Sequence, residues 1–108
     1  MSFEIERDPQ KEPSIIEMTE KAIELLEKGE NGFFLLVEGG RIDHGHHGSQ
    51  AKKALEDFVV FDDAVGKALQ VTETNETLVL VTADHSHTFS LGGYSARGND
   101  IYGILKFN

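Results

Sequence analysis

Apolar residues recur at helical spacing near the start of the chain, and a turn follows them. The recurring residues are Ile15, Met18, Ala22 and Leu25. Intervals of three and four residues place such side chains on one face of an α-helix. Gly29 and the pair Asn31-Gly32 come next, and these residue types favour a helix end and a turn. The pattern predicts a helix over residues 15–26, with Pro13 in its first turn.

Two short runs further along are apolar without interruption. They cover residues 33–37 and 78–81, and runs of this kind are typical of strands that are covered on both faces. Between them, residues 49–70 carry an apolar stripe at helical spacing. Its members are Ala51, Ala54, Leu55, Phe58, Val65 and Leu69. A strand, a helix and a second strand in this order predict a right-handed β-α-β unit with two parallel strands.

The predicted fold class is α/β, and the predicted architecture is incomplete. Two parallel strands that are apolar on both faces need further strands beside them and helices above and below. The sequence offers these two strands, a weaker candidate over residues 101–105, and two helices. We therefore expect residues 1–108 to be a β-α-β slice of a larger doubly wound sheet.

Composition and charge exclude several functions. The chain has 108 residues, which suffices for one domain but not for two. Its net charge of −9 argues against binding to a nucleic-acid backbone or to an anionic membrane surface. It has no cysteine, so any zinc site must use nitrogen and oxygen ligands. No segment resembles a transmembrane helix, and no signal sequence follows Met1.

All five histidines lie in two short patches. The first patch covers residues 43–47 and the second covers residues 84–87, and each comes shortly after one of the apolar runs. The carboxyl ends of neighbouring parallel strands form the edge at which open α/β sheets bind their ligands. Because carboxylates and imidazoles are metal ligands, the two patches predict a metal site with more than one ion.

Spacing suggests how these residues are divided between ions. Asp43 and His47 are four residues apart, so a helix that begins near His44 would place them one turn apart, within reach of a single ion. Glu38, at the tip of the first strand, is expected to reach a neighbouring ion. Asp84 and His85 end the second strand and form the other candidate pair.

Simpler interpretations exist for both patches. The first patch can be a solvated acidic loop whose histidines have no function, although histidines seldom cluster without a functional role. In the second, Asp84 can cap the following segment beside an incidental His85. Of the other histidines, His87 is expected to hydrogen-bond to a metal ligand from outside. His44 is expected to face an anionic substrate, and His46 to face solvent.

Two strings of the sequence closely resemble metal-binding segments of animal-type alkaline phosphatases. The first is Phe33-Phe34-Leu35-Leu36-Val37-Glu38-Gly39-Gly40-Arg41-Ile42-Asp43-His44-Gly45-His46-His47. The second is Val81-Thr82-Ala83-Asp84-His85-Ser86-His87, followed by Gly92-Gly93-Tyr94. The interval between His47 and Asp84 (84 − 47 = 37 residues) also suits that family. The resemblance extends over about residues 13–103.

The resemblance implies part of a catalytic domain that hydrolyses phosphate monoesters through a phosphoserine intermediate, with two zinc ions and one magnesium ion. The implied fold of the whole enzyme is a three-layer αβα sandwich. Matched by position, the implied ligands are Glu38 for magnesium, Asp43 and His47 for one zinc, and Asp84 and His85 for the other. The same matching puts His87 beside the Asp43 carboxylate, and His44 near the phosphate and the magnesium ion. It also implies a homodimer, exported or held at the cell surface by a lipid anchor (of the GPI type) outside this chain.

The matched strings leave the site of the family incomplete. In the family, the nucleophilic serine and the phosphate-binding arginine precede this segment, and the last zinc histidine follows it. The serines of the matched region do not occupy the motif of the nucleophile; they are Ser49, Ser86, Ser90 and Ser95. Each zinc therefore has fewer than the three protein ligands of a catalytic site, so we expect residues 1–108 to be inactive alone. The alternatives are another metallohydrolase of the same superfamily and a zinc-binding module without catalysis.

Overall fold

A 21-residue helix, α3 (Ala51–Val71), is the element on which the other helices pack. The structure is a computed structural model, and it describes residues 1–102. The helices α1 (Ile15–Leu26) and α2 (Arg41–His47) and a short 3-10 helix (Glu4–Glu6) each contact α3. Among the described residues, every helix is too short or too polar to cross a membrane.

Helix α1 is confirmed over Ile15–Leu26 and begins with a capping box. The Ser14 hydroxyl accepts the N–H of Glu17 at 3.2 Å, and the Glu17 carboxylate accepts the N–H of Ser14 at 2.7 Å. This exchange satisfies two backbone donors that the first turn of a helix leaves unpaired. Because Ser14 is the cap, Pro13 lies just before the helix, and its expected place in the first turn is wrong.

The region between the two long helices differs from the prediction. A separate helix, α2, begins at Arg41, three residues before the expected start near His44. It ends before Ser49, whose φ of 52° lies in the left-handed region and interrupts the helical path. The N–H of Gln50 then donates to the carbonyl of Gly45 at 2.8 Å. The chain turns in this way between α2 and α3, which pack against each other.

Gly45 sets how closely these two helices approach. It is buried, and a Cβ added to it would lie 2.8 Å from the backbone nitrogen of Ala54 and 2.9 Å from the Cα of Ala54. Ala54, with an exposure of 0%, is fully buried at the same contact. Backbone therefore meets backbone here, and a residue without a side chain is required on the α2 side.

The two apolar runs form no β-ladder within residues 1–102. Exposure nevertheless alternates with a period of two over residues 33–37 and 77–80, which is the period of an extended chain, whereas Val81 is exposed like Leu80. The half-buried members are Phe33, Leu35, Val37, Thr77 and Val79; the exposed members are Phe34, Leu36, Leu78 and Leu80, at 74–88%. Both runs line one groove of about 880 Å³ together with side chains of α1 and α3.

The predicted β-α-β pairing is therefore not confirmed. A strand that is apolar on both faces is stable when other elements cover both faces and supply ladder partners, and helices cover one face of each run here. The weaker strand candidate over residues 101–105 adds no partner to them: Ile101 and Tyr102 lie in a turn, and residues 103–105 lie outside the described part of the chain.

The core of the described chain is small. Its buried apolar residues are Ile15, Ile23, Ala54 and Ala64. The Cα radius of gyration is 17.3 Å, whereas a compact domain of about 100 residues has a radius near 13 Å. Helix packing thus holds the first part of the chain together, and the apolar runs lie along its side.

Replacing Gly45 by alanine is expected to separate α2 from α3. The backbone of Ala54 cannot move aside as the end of a flexible side chain does, so we expect the free energy of unfolding to fall by about 1–3 kcal/mol. Urea denaturation followed by circular dichroism measures this loss. Gly66→Ala is the matched control, because nothing lies within 4 Å of its added Cβ; it should raise stability by up to about 1 kcal/mol. Equal effects of the two substitutions would contradict the close approach.

The capping box of α1 should make stability depend on pH. Hydrogen bonds from the backbone N–H and then the hydroxyl of Ser14 hold the pKa of Glu17 below its ordinary value of 4.5. A carboxylate with a lowered pKa in the folded state stabilises the fold above its unfolded-state pKa, and this contribution is lost as the pH falls through the folded-state pKa. The thermal midpoint should therefore drop between about pH 5 and about pH 3, and less steeply in Glu17→Gln. Glu30→Gln, at an exposed glutamate, should retain the slope of the unsubstituted chain.

Candidate metal centre

The carboxylate of Asp43 lies among three imidazoles. Its Oδ2 is 3.4 Å from Nε2 of His47, and its Oδ1 is 3.6 Å from Nε2 of His85 and 3.5 Å from Nε2 of His87. Helix α2 supplies Asp43 and His47 one turn apart, and the loop after the second apolar run supplies His85 and His87. We call these four residues the Asp43 cluster.

Two buried polar atoms of the cluster, Oδ1 of Asp43 and Nδ1 of His87, have no hydrogen-bond partner within residues 1–102. The separations of 3.4–3.6 Å are longer than an ordinary hydrogen bond. Zinc holds oxygen and nitrogen ligands at about 2.0–2.1 Å, which leaves neighbouring ligands of a tetrahedral ion about 3.4 Å apart. One ligand atom each from Asp43, His47 and His87 lies within 4.8 Å of the others. The cluster therefore fits a cation better than it fits a network of direct hydrogen bonds.

Asp84 joins the cluster through His85. Oδ2 of Asp84 is 3.5 Å from Nε2 of His85, while Oδ1 accepts the backbone N–H of His85 at 3.0 Å. The Asp84 side chain is otherwise 87% exposed. Nδ1 of His85 lies 2.8 Å from the carbonyl of Ser86, which places its proton on Nδ1 and leaves Nε2 toward the two carboxylates. The Ser86 carbonyl, followed by the charges of Asp84 and Asp43, raises the pKa of His85 above 6.5.

Glu38 and His44 line a cavity whose lining includes none of the four residues of the Asp43 cluster. The cavity has a volume of about 310 Å³, and Arg41 and Asp57 also line it. A Cβ on Gly40 would lie 3.2 Å from Oε1 of Glu38, so the glycine leaves room for this carboxylate to fold back over the chain. The structure thus brings Asp43, His47, His85 and His87 together, and it places Glu38 with His44.

Asp57 and Arg41 connect the cavity to the start of the chain. Burial raises the pKa of Asp57, which accepts the N–H of Glu4 at 3.1 Å. The guanidinium of Arg41 donates to the carbonyl of Met1 and lies 5.0 Å from the centre of the Phe3 ring. Its Nη1 is 3.4 Å from Nδ1 of His44. Arg41 is thus held between the first residues of the chain and His44 of α2.

His46 is the residue near the site that the sequence interpretation missed. The expectation that it faces solvent is wrong: it is half-buried, and its ring stacks on His87 with centroids 4.9 Å apart and planes at 17°. Phe89 contacts the same ring edge-on at 5.4 Å. A helix that starts at Arg41 instead of near His44 places Ile42 and His46 one turn apart. The prediction for His46 failed because the sequence pattern did not place the start of α2 at Arg41.

Comparison with known proteins gives a consistent result. The chain matches the profile of the family described as "Alkaline phosphatase" over residues 1–108. It is 51% identical over 107 residues to "Alkaline phosphatase" of Gadus morhua, covering 99% of this chain and 22% of the relative. It is 54% and 53% identical over 104 residues to "Alkaline phosphatase, tissue-nonspecific isozyme" of Felis catus and of Homo sapiens, covering 96% of this chain and 20% of each relative. The chain spans about a fifth of the length of these relatives.

The contacts of His85 predict its titration in the chain freed of metal by a chelator. Its ring protons should titrate with a pKa above 6.5, because the Ser86 carbonyl and the Asp84 and Asp43 charges favour the protonated imidazole. Asp84→Asn should move this pKa downward, as followed by NMR. The same substitution at Asp62, an exposed carboxylate of α3, should leave it in place. If the pKa of His85 is the same with and without Asp84→Asn, the two side chains do not interact in solution.

Proposed function

Since the chain belongs to the alkaline phosphatase family, we propose that it forms part of the catalytic domain of a zinc- and magnesium-dependent enzyme that hydrolyses phosphate monoesters. The observation that carries this proposal is the Asp43 cluster. In it, a carboxylate lies among three imidazoles, and one of its oxygens has no hydrogen-bond partner in the described part of the chain. Its residues come from the two strings that resemble the metal-binding segments of the family.

The proposed division of ligands is the one that the resemblance to the family implies, and contacts of Asp43 and of Asp84 support it. Asp43 and His47 would hold one zinc ion, which their separation of 3.4 Å supports. Asp84 and His85 would hold the other, and the 3.6 Å contact of His85 with Asp43 puts the two pairs next to each other. Glu38 would hold magnesium in the neighbouring cavity that it shares with His44.

The metal ions would neutralise the charge of the phosphoryl group and stabilise the attacking and leaving oxygens. The residues of this chain would hold and orient that centre. Helix α2 fixes the one-turn spacing of Asp43 and His47, and the Ser86 carbonyl selects the tautomer in which Nε2 of His85 is free to bind. His44, on the cavity side of α2, would face the phosphate.

For the fold, we propose that the two apolar runs are strands of a larger αβα sheet. Their period-two exposure, their uncovered faces and the groove that they share along α1 and α3 support this. On the resemblance alone, we further propose a homodimer that is exported or held at the cell surface by an anchor outside residues 1–108.

We also propose that residues 1–108 do not catalyse by themselves. The nucleophilic serine of the family has no counterpart in this sequence, and each proposed zinc has two protein ligands instead of the three that a catalytic zinc needs. The purified chain supplied with zinc and magnesium should not hydrolyse p-nitrophenyl phosphate at alkaline pH. Turnover at the rate of a full-length enzyme would contradict the proposal.

In a full-length enzyme that contains this segment, Asp43→Ala is expected to lower kcat/KM for p-nitrophenyl phosphate by about a thousandfold, because losing a metal ion removes several kcal/mol of transition-state stabilisation. Asp62→Ala removes an exposed carboxylate of α3 and serves as the matched control. Assays with bis(p-nitrophenyl) phosphate and p-nitrophenyl sulfate separate this function from those of a phosphodiesterase or a sulfatase. A preference for either of these esters would overturn the proposed substrate class.

A further inference from the structure

We propose that His46 is a positioning residue of the metal centre, whose ring is a platform that holds the imidazole of His87 against Asp43. The inference rests on the proposed function, since it concerns the same site. It assigns a role to the one histidine of the first patch that neither lies in the Asp43 cluster nor lines the cavity of Glu38.

The ring of His46 is itself held on two sides. Its Nδ1 lies 2.8 Å from the carbonyl of Ile42, one turn earlier in α2, so Nδ1 carries the proton and donates. Phe89 meets the ring edge-on at 90°, an arrangement that aromatic rings favour. A ring fixed to the helix backbone and braced by an aromatic edge has little freedom to rotate.

His87 lacks the usual means of orientation. The imidazole of a metal site is normally oriented by a hydrogen bond at its second nitrogen, but the buried Nδ1 of His87 has no partner within residues 1–102. The ring instead stacks on His46 at 4.9 Å and meets His47 edge-on at 4.8 Å. Packing against these two rings therefore sets the direction in which Nε2 of His87 points.

The orientation of the His87 ring determines its contact with the carboxylate of Asp43. Nε2 of His87 lies 3.5 Å from Oδ1 of Asp43, the carboxylate oxygen that has no hydrogen-bond partner in the described chain. Holding His87 in place holds this oxygen in the geometry that a metal ion requires. The stack also joins α2 to the loop that carries His85, since His46 and His87 lie on these two elements.

The proposal is tested in the full 108-residue chain with His46→Ala, which removes the stacking ring, and His46→Phe, which keeps a ring without the Nδ1 donor. Zinc affinity is measured by competition with a chromophoric chelator. We expect His46→Ala to weaken zinc binding about tenfold, at the lower end of what outer residues of metal sites contribute, and His46→Phe to restore most of it. NMR of the His87 ring protons in the metal-free chain reports the stack directly: His46→Ala should shift these resonances and His46→Phe should largely retain them.

The outcomes separate this inference from the proposed function. Loss of zinc binding in Asp43→Ala with unchanged binding in His46→Ala would keep the metal centre and overturn the role of His46. Another outcome is that His46→Ala lowers the thermal midpoint together with the zinc affinity, with neither restored in His46→Phe. That result would show that His46 only packs in the fold, and it would also overturn the proposed role. A chain that binds no zinc at all would overturn the role of His46 in metal binding, whereas the proposed function is judged by the Asp43→Ala assay in the full-length enzyme. Unchanged His87 resonances in His46→Ala would exclude the stack itself.

Discussion

The contact of α2 with α3 is the constraint on which the candidate site depends. Gly45 brings the backbone of α2 against the backbone of Ala54, at a distance that leaves no space for a Cβ. Asp43 and His47 lie two residues to either side of this contact, and His46 follows it directly. Fixing the helix at one buried point thus fixes three side chains around it, and a wider separation of the helices would move all three at once.

Electrostatics explains why a cation fits a site built in this way. One oxygen of Asp43 has no hydrogen-bond partner among residues 1–102, and Asp84 lies beside the same His85, so two carboxylates share one imidazole. The chain as a whole carries a net charge of −9. A positive charge that lies between two carboxylates is attracted to both of them. Protonated His85 offers part of that charge, which agrees with its raised pKa; a metal ion would offer more.

The two apolar runs are only partly covered in the described chain. Exposure alternates along each run as in a strand. Helices cover one face of each run, while Phe34 and Leu78 on the other face are 88% and 81% exposed. Strand conformation can follow from local sequence, but a ladder needs a partner at hydrogen-bonding distance. The alkaline phosphatase relatives are about five times as long as this chain.

Short-range periodicity and residue type were enough to predict part of this protein. They predicted the apolar stripes of α1 and α3, the one-turn spacing of Asp43 and His47, and the resemblance of the two strings to a family. The packed fold was needed for the start of α2 at Arg41, the cavity that Glu38 shares with His44, and the stacking of His46 on His87. His46 and His87 are 41 residues apart (87 − 46). Their contact depends on how α2 packs and where the later loop returns, and the spacing of residues within one segment carries no information about either.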